Sequence, residues 1–164
     1  MTLRHAFATA LALALVASVA PAQQRWERYY GTANNENVGT VVQTLDGGYA
    51  AAGTWYDGPW LLRLDSLGDT LWTRTYPRRF INSLIETPDS GLVMTGYMMN
   101  ASDDICLVRT DARGETLWTR LYGGSDYDHG YCVKAAPGGG FVIGGYTVSY
   151  GAGSADYYLI RTDN

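Results

Sequence analysis

Few side chains in this sequence stand in a pattern that catalysis requires. His129 lies in the acidic segment Asp126-Tyr-Asp-His-Gly130, and no serine or cysteine in a nucleophile elbow lies near it in sequence. A catalytic triad is therefore not predicted. The alternating acids and the glycine partly match a calcium loop, but a third acid and the distal glutamate are missing. We interpret His129 as a turn residue and predict no catalytic residue and no metal ligand.

Two further polar pairs are candidates for a site. Asp103-Asp104 lies in a polar loop and is interpreted as a solvated pair. Arg78-Arg79 occurs in only one of the repeats described below, which makes it the single mild candidate for a unique site.

Aromatic and basic side chains recur in the word Trp-x-Arg-x-Tyr, at residues 26–30, 72–76 and 118–122. Side chains alternate along a strand, so the three residues of each word share one face. Such a ladder could stack a sugar or another ligand. A single site rarely needs three copies of the same residues, so we predict that the ladders pack repeat against repeat.

A second recurring pattern places an arginine two residues before an aspartate. Same-face Arg and Asp side chains favour charged hydrogen bonds within or between repeats. We therefore predict structural ion pairs between the arginines and aspartates of these three pairs: Arg63 and Asp65, Arg109 and Asp111, Arg161 and Asp163.

The two cysteines, Cys106 and Cys132, are predicted to be free thiols. They fall on the third strand of one repeat and the first strand of the next. Two strand spacings separate such strands by roughly 9–10 Å, whereas bridged cysteines need Cα atoms within about 7 Å.

The elements that must position these residues come from an internal repeat. Trp26, Trp72 and Trp118 are spaced 46 residues apart. Between them, turn words rich in Gly and Asp punctuate short apolar runs, which predicts four strands per repeat and almost no helix. In the first repeat we expect strands at residues 36–44, 48–55, 59–65 and 69–76. Four strands in about 46 residues is the size of a β-propeller blade.

The words Asp65-Ser-Leu-Gly-Asp-Thr-Leu-Trp72 and Asp111-Ala-Arg-Gly-Glu-Thr-Leu-Trp118 resemble the tryptophan-docking repeat of quinoprotein (PQQ)-like β-propellers. The complete repeat is similar to that of secreted bacterial propeller proteins with Gly-Gly-Tyr and Leu-Trp words. The resemblance implies an all-β fold of four-stranded blades, about three repeats of roughly 46–50 residues. It does not carry quinone chemistry over, because the adjacent cysteines of those dehydrogenases are absent. No cofactor is therefore predicted.

The predicted organisation begins with a secretory signal peptide at residues 1–22, cleaved near Ala22. Residues 23–164 then form a three-blade repeat region: an outermost strand at 25–30, and blades at 36–76, 80–122 and 128–164. The third blade lacks its own outermost strand, which the segment 25–30 could supply. Propellers typically have four to eight blades. The chain could be part of a longer protein, could assemble with copies of itself into a ring, or could close with three blades.

Composition narrows the function classes. The net charge of −4 and the near absence of lysine disfavour nucleic-acid binding. The sequence has no second long apolar run, so no membrane span is predicted. We expect a secreted, periplasmic or cell-surface protein that binds an unknown protein or carbohydrate without catalysis. The alternative is a fragment of a larger propeller enzyme (a hydrolase, lyase or oxidoreductase) whose site lies in missing blades. A third reading is a piece of a large surface protein whose other domains carry the function.

Overall fold

A computed structural model of the chain describes residues 25–33, 35–55 and 58–163. The predicted signal peptide, residues 1–22, lies outside them. The described residues hold no helix and form three antiparallel sheets, which confirms the all-β, partial propeller-like fold. The sheets comprise β1 (Asn37–Gln43), β2 (Tyr49–Trp55), β3 (Gly58–Leu64) and β4 (Thr70–Thr75); β5 (Arg79–Glu86), β6 (Leu92–Met98), β7 (Asp104–Thr110) and β8 (Thr116–Tyr122); and β9 (Asp128–Ala135), β10 (Phe141–Thr147) and β11 (Asp156–Arg161).

The hairpin turns follow from Asp and Gly at fixed positions. Gly68 adopts a φ of 83° in the turn between β3 and β4, a conformation that glycine reaches without steric cost. The Asp65 carboxylate accepts hydrogen bonds from the backbone N–H groups of Leu67 and Asp69, both at 2.8 Å. This side chain replaces backbone partners within the turn, and the same arrangement recurs at Asp111.

Apolar side chains between neighbouring sheets form two cores. Strand β5 packs against the first sheet, and β9 packs against the second. The core between the first and second sheets holds Ala50, Ala52, Leu61, Tyr76, Ile81, Leu84, Leu92, Met94, Cys106 and Val108. The core between the second and third holds Val93, Ile105, Leu107, Val133, Phe141 and Ile143. Each sheet is therefore stabilised mainly by the face it shares with its neighbours.

The first strand of each sheet carries a register shift opposite a glycine of the second strand. These glycines are Gly53, Gly96 and Gly145, which the repeat places four residues into each second strand. A Cβ atom at any of them would collide with a backbone carbonyl of the first strand. The glycines are thus required for close backbone approach at a bulge.

The predicted outermost strand at residues 25–30 is not formed, since no strand is found there among the described residues. The third sheet accordingly has three strands. The physical reason is that a strand needs a neighbouring strand to pair with, and none lies beside residues 25–30 in the described part of the chain. In the described part of the chain, no helix is long and apolar enough to cross a membrane.

Candidate functional site

The recurring Trp-x-Arg-x-Tyr word docks on the β3–β4-type turn of the next sheet. The Tyr76 hydroxyl donates to the Gly114 carbonyl at 2.7 Å, and Arg74 pairs with Glu115 at 2.9 Å. The Trp72 ring covers Gly114 so closely that an added Cβ would lie 2.7 Å from it. Burial raises the pKa of Tyr76. This ladder therefore joins sheets, as the sequence predicted.

The N-terminal copy of the word makes the same contacts on the first sheet. The Tyr30 hydroxyl donates to the Gly68 carbonyl at 2.6 Å, the Trp26 ring covers Gly68, and Arg28 lies 3.9 Å from Asp69. In the third copy, Arg120 pairs with Asp163 at 2.6 Å. Segment 25–30 thus occupies the place that the outermost strand of a preceding sheet would occupy.

The predicted arginine–aspartate pairs use other acids than expected. Arg63 binds Asp46 at 2.6 Å and Arg109 binds Asp89 at 2.6 Å, while Asp65 and its counterparts are occupied in turns or, for Asp163, by Arg120. The antiparallel register explains the correction, because it places each arginine beside the turn that precedes the second strand.

Arg161 differs from the other two arginines of this pattern. Glycine stands at position 138, where the first two repeats have an acid. The Arg161 side chain donates to the Thr162 and Pro137 carbonyls instead.

A second group of side chains gathers where the second and third sheets meet. We call it the His129 cluster, and it consists of Phe80, Tyr97, His129, Tyr131 and Tyr146. The rings of Phe80 and Tyr97 stack at 4.7 Å, and Tyr97 stacks on His129 at 3.8 Å between centroids. Tyr146 lies 5.0 Å from the His129 ring and 5.8 Å from Tyr131, which is half exposed. The ring contacts therefore run without a break from partly buried Phe80 to exposed Tyr131.

The position of the cluster follows from the strand register. Phe80 pairs with Tyr97 across β5 and β6, and His129 pairs with Tyr146 across β9 and β10. Tyr131 is the extra residue at the bulge of β9. Bulges re-aim side chains and recur beside functional sites. The first sheet has Asn37 where the others have Phe80 and His129.

His129 is held between a hydroxyl and a carboxylate. Its Nδ1 atom lies 3.2 Å from the Tyr146 hydroxyl, and its Nε2 atom lies 3.8 Å from Asp103 Oδ2, beyond hydrogen-bond reach. Burial lowers the pKa of His129, although Asp103 opposes the shift. The imidazole is therefore neutral at pH 7 and can exchange a hydrogen bond with Tyr146 in either direction.

Tyr146 is not activated as a nucleophile by this arrangement. Burial raises its pKa, and the charge on Asp103 adds to the increase, whereas an activated phenol needs a lowered pKa. Asp103 adopts a φ of 48°, uncommon for a residue other than glycine. The chemistry that the cluster supports best is non-covalent: stacking on rings, and hydrogen bonds to hydroxyl, imidazole and carboxylate groups.

In segment 126–130, which partly matches a calcium loop, Asp128 makes hydrogen bonds within the protein. Asp128 is buried, and its Oδ2 atom accepts hydrogen bonds from the Ser149 hydroxyl at 2.6 Å and the Gly124 N–H at 2.9 Å. These contacts tie the loop before β9 to the loop after β10. No group of three or more His, Cys, Asp or Glu side chains suited to a metal is found within residues 25–33, 35–55 and 58–163.

The other candidate residues are dispersed. Arg78 is exposed with a φ of 62°, and Arg79 reaches the Thr119 hydroxyl at 3.4 Å. Asp104 accepts a hydrogen bond from Asn100. Both cysteines are free: Cys106 is buried in the core, where burial raises its pKa to about 11, and Cys132 is exposed.

An apolar groove of about 580 Å³ lies between segment 25–30 and the outer face of the first sheet. Its lining includes Trp26, Val38, Tyr49, Trp60 and Leu62. Val38 and Val41 at this face are 70% and 61% exposed, so the groove and these valines form one exposed apolar patch.

Comparison with known proteins gives little similarity. No family model matches the chain, and no curated protein matches it in sequence. Among solved structures, the tail fiber of Staphylococcus aureus phage P68 is similar with a TM-score of 0.42 and 11% identity, over 70% of this chain and 26% of that chain. The chain therefore spans about a quarter of the length of that fiber.

Sequence reasoning missed most of the His129 cluster, and His129, which we interpreted as a turn residue, lies in strand β9. Phe80, Tyr97 and Tyr146 lie far apart in the sequence, and only strand pairing and sheet packing bring them together. A signal was nevertheless present in the sequence. The residue that follows the glycine of the second strand is tyrosine in two of the repeats, at positions 97 and 146.

Proposed function

We propose that the chain is a secreted, non-catalytic propeller-type protein that binds a ligand through the His129 cluster. The single observation that carries the proposal is the aromatic stack that ends on half-exposed Tyr131, flanked by Asp103. The repeated arginines and tryptophans do not compete for this role, because they already join the sheets. We also propose that the chain is related to quinoprotein-like and secreted bacterial propellers, and that residues 1–22 are a signal peptide.

The ligand class that fits this surface best is carbohydrate. Sugars present apolar faces that stack on aromatic rings and hydroxyl groups that hydrogen-bond to phenol and carboxylate oxygens. The third repeat supplies two more half-exposed rings, Tyr127 and Tyr150, in the loops beside the cluster. A site built this way binds without needing a nucleophile.

The binding proposal is tested with a panel of soluble chito-, cello-, malto- and manno-oligosaccharides, by array binding followed by calorimetry. We expect at least one oligosaccharide to bind and to be recovered uncleaved. Tyr131→Ala should weaken that binding about tenfold, ~1.4 kcal/mol, because it removes the exposed stacking ring. Tyr29→Ala is the matched control, since Tyr29 is an exposed tyrosine on the groove side of the molecule.

The outcomes separate the alternatives. Unchanged affinity in Tyr131→Ala together with loss in Tyr29→Ala would move the site to the groove on the first sheet. Cleavage of an oligosaccharide by the purified chain would contradict the non-catalytic proposal and favour the enzyme alternative. Failure of every oligosaccharide in the panel to bind would contradict the carbohydrate class.

The same proposal gives the protein a scaffold role. The outer faces of the first and third sheets carry exposed apolar side chains, which suits association with further sheets. Self-association that completes a ring is one form of this role.

A further inference from the structure

Strand β11 presents an open edge and an open face that the equivalent strand β7 does not. Leu107 on β7 is fully buried, whereas Leu159, the residue at the same register on β11, is 76% exposed. Tyr157 is 98% exposed. The difference arises because β8 covers the edge of β7 and the third sheet covers its face, while β11 has neither cover among the described residues. The third sheet is therefore built to receive one more strand.

Segment 25–30 has the sequence of that missing strand. In the second sheet Trp118 pairs with Arg109, Arg120 with Leu107 and Tyr122 with Ile105. The first sheet repeats the pattern, with Trp72 opposite Arg63 and Arg74 opposite Leu61. The same register applied to β11 places Trp26 opposite Arg161, Arg28 opposite Leu159 and Tyr30 opposite Tyr157.

One molecule cannot make this pairing with itself in the observed arrangement. Trp26 and Tyr30 are already docked on Gly68 of the first sheet, and the second sheet lies between the first sheet and β11. Docking on Gly68 leaves the backbone of the segment without a strand partner in the described chain. The docked segment of one copy can therefore meet β11 of another copy without leaving its own first sheet.

The two end faces are complementary in kind. Val38 and Val41 occupy the register positions of Ile81 and Leu84, which the preceding sheet buries to 3% and 2% exposure. Leu159 occupies the position of Leu107, which the following sheet buries. The open face of the first sheet therefore corresponds to the face of the second sheet that packs on the first. The open face of the third sheet corresponds to the face of the second sheet that packs on the third. A head-to-tail contact between copies would bury both.

We propose that segment 25–30 of one copy adds as the fourth, outermost strand to β11 of a second copy, and that two such exchanges close a six-sheet ring. This inference deepens the scaffold part of the proposed function and names its partner. Each joint would reproduce the contacts already present between the first and second sheets: the Trp-x-Arg-x-Tyr word docked on a turn, and apolar side chains buried behind it. In each copy the added strand would cover the open edge of β11.

The test is a cross-link between two separately purified full-length chains, each with Cys132→Ser to remove the exposed thiol. One chain carries Leu159→Cys and the other Arg28→Cys. Directly opposite residues of antiparallel strands have Cα atoms about 4.5–5.5 Å apart, within the range of about 4.4–6.8 Å that a disulfide spans. We expect mild oxidation of the mixture to give a covalent heterodimer on a non-reducing gel. The matched control is Leu159→Cys with Tyr29→Cys, one residue along the segment, which should cross-link at least tenfold less.

Light scattering of the unmodified full chain gives the second measurement, with an expected mass of two copies. A single-copy mass at about 100 µM, or equal cross-linking of the Arg28 and Tyr29 variants, would overturn the proposal. Assemblies larger than two copies that still give the selective cross-link would support strand addition and overturn ring closure. Oligosaccharide binding on the same preparation keeps the two proposals separate, because Tyr131, the exposed stacking ring, lies on β9 at the opposite edge of the third sheet from β11 and should bind whether or not the copies associate.

Discussion

At the residue scale, the arginines of the third strands show how a buried charge is accommodated. The Arg63 side chain is 9% exposed and is satisfied by Asp46 and by the Leu64 and Tyr49 carbonyls. Arg109 is held in the same way by Asp89. A buried guanidinium is tolerated when its donors are paired in this manner. The acids therefore serve to anchor the turn that precedes each second strand.

These acids predict how stability depends on pH. Hydrogen bonds from Thr44 and from the Gly48 N–H, together with Arg63, lower the pKa of Asp46 to about 2. Thr87 and Arg109 likewise lower the pKa of Asp89 to about 2. Because both pKa values are depressed in the folded state, their contribution is present above the unfolded value of 3.8 and is lost as pH falls towards 2.

We expect the free energy of unfolding, measured by urea denaturation, to fall between pH 4.5 and pH 2.5. The fall should be smaller in Asp46→Asn and in Asp89→Asn, because the amide does not titrate. Asp126→Asn is the control, since it removes a carboxylate that makes neither of these arginine pairs. An equal pH dependence in all four proteins would contradict the assignment.

At the element scale, the bulge of each first strand and its facing glycine form one unit. The first strand approaches the second more closely than a Cβ atom would allow, at Gly53, Gly96 and Gly145. The bulge in turn places residues such as Asn82 where it can reach the next sheet, by donating to the Gly130 carbonyl at 2.8 Å. The glycine in the second strand thus controls how sheets join, beyond its own strand.

Gly96→Ala should be strongly destabilising, by about 2 kcal/mol or more, because the new methyl group collides with the Phe80 carbonyl. The free energy of unfolding measures the effect. Gly153→Ala is the matched control, since nothing lies within 4 Å of a Cβ built there. Similar stability in the two variants would show that the first strand can move away from β6.

At the scale of the whole molecule, the position of a sheet in the row decides how much of a given side chain is buried and so how much it stabilises the fold. Residues at one register are buried in the second sheet and exposed in the first or third. Leu107 and Leu159 are the clearest pair, since both are leucines of the third strand in the same word. The same sequence word thus has a packing role in one place and an open contact surface in another.

Leu107→Ala should lower the free energy of unfolding by about 2–5 kcal/mol, because it leaves a cavity in the core between the second and third sheets. Leu159→Ala should leave the unfolding of the isolated chain nearly unchanged, within about 0.5 kcal/mol. If copies associate as proposed, Leu159→Ala should instead shift the mass measured by light scattering towards one copy at low micromolar concentration. A large stability loss for the isolated chain in Leu159→Ala would contradict the exposed position.

The fold could be predicted well from the sequence because its signals are local and repeated. Alternation of apolar residues, Gly and Asp at the turns, and the spacing of the tryptophans specify the four strands of the first repeat within one or two residues of those observed, whereas the strand expected at residues 25–30 is not formed. The aspartate partners of Arg63 and Arg109 were predicted wrongly, because nearness in sequence was taken for nearness across a turn. The His129 cluster was not predicted, since its members come from four strands of two sheets.

The sequence by itself determined the all-β class, the four-strand repeat and the docking role of the Trp-x-Arg-x-Tyr word, because these depend on side-chain period and turn chemistry within about 46 residues. Only the tertiary structure decided which residues meet across sheets. It placed His129 against Tyr97 and Tyr146, moved the arginine partners to Asp46 and Asp89, and left β11 open while segment 25–30 docked on the first sheet. Strand register and the packing of neighbouring sheets fix those contacts, and neither is a property of any single repeat.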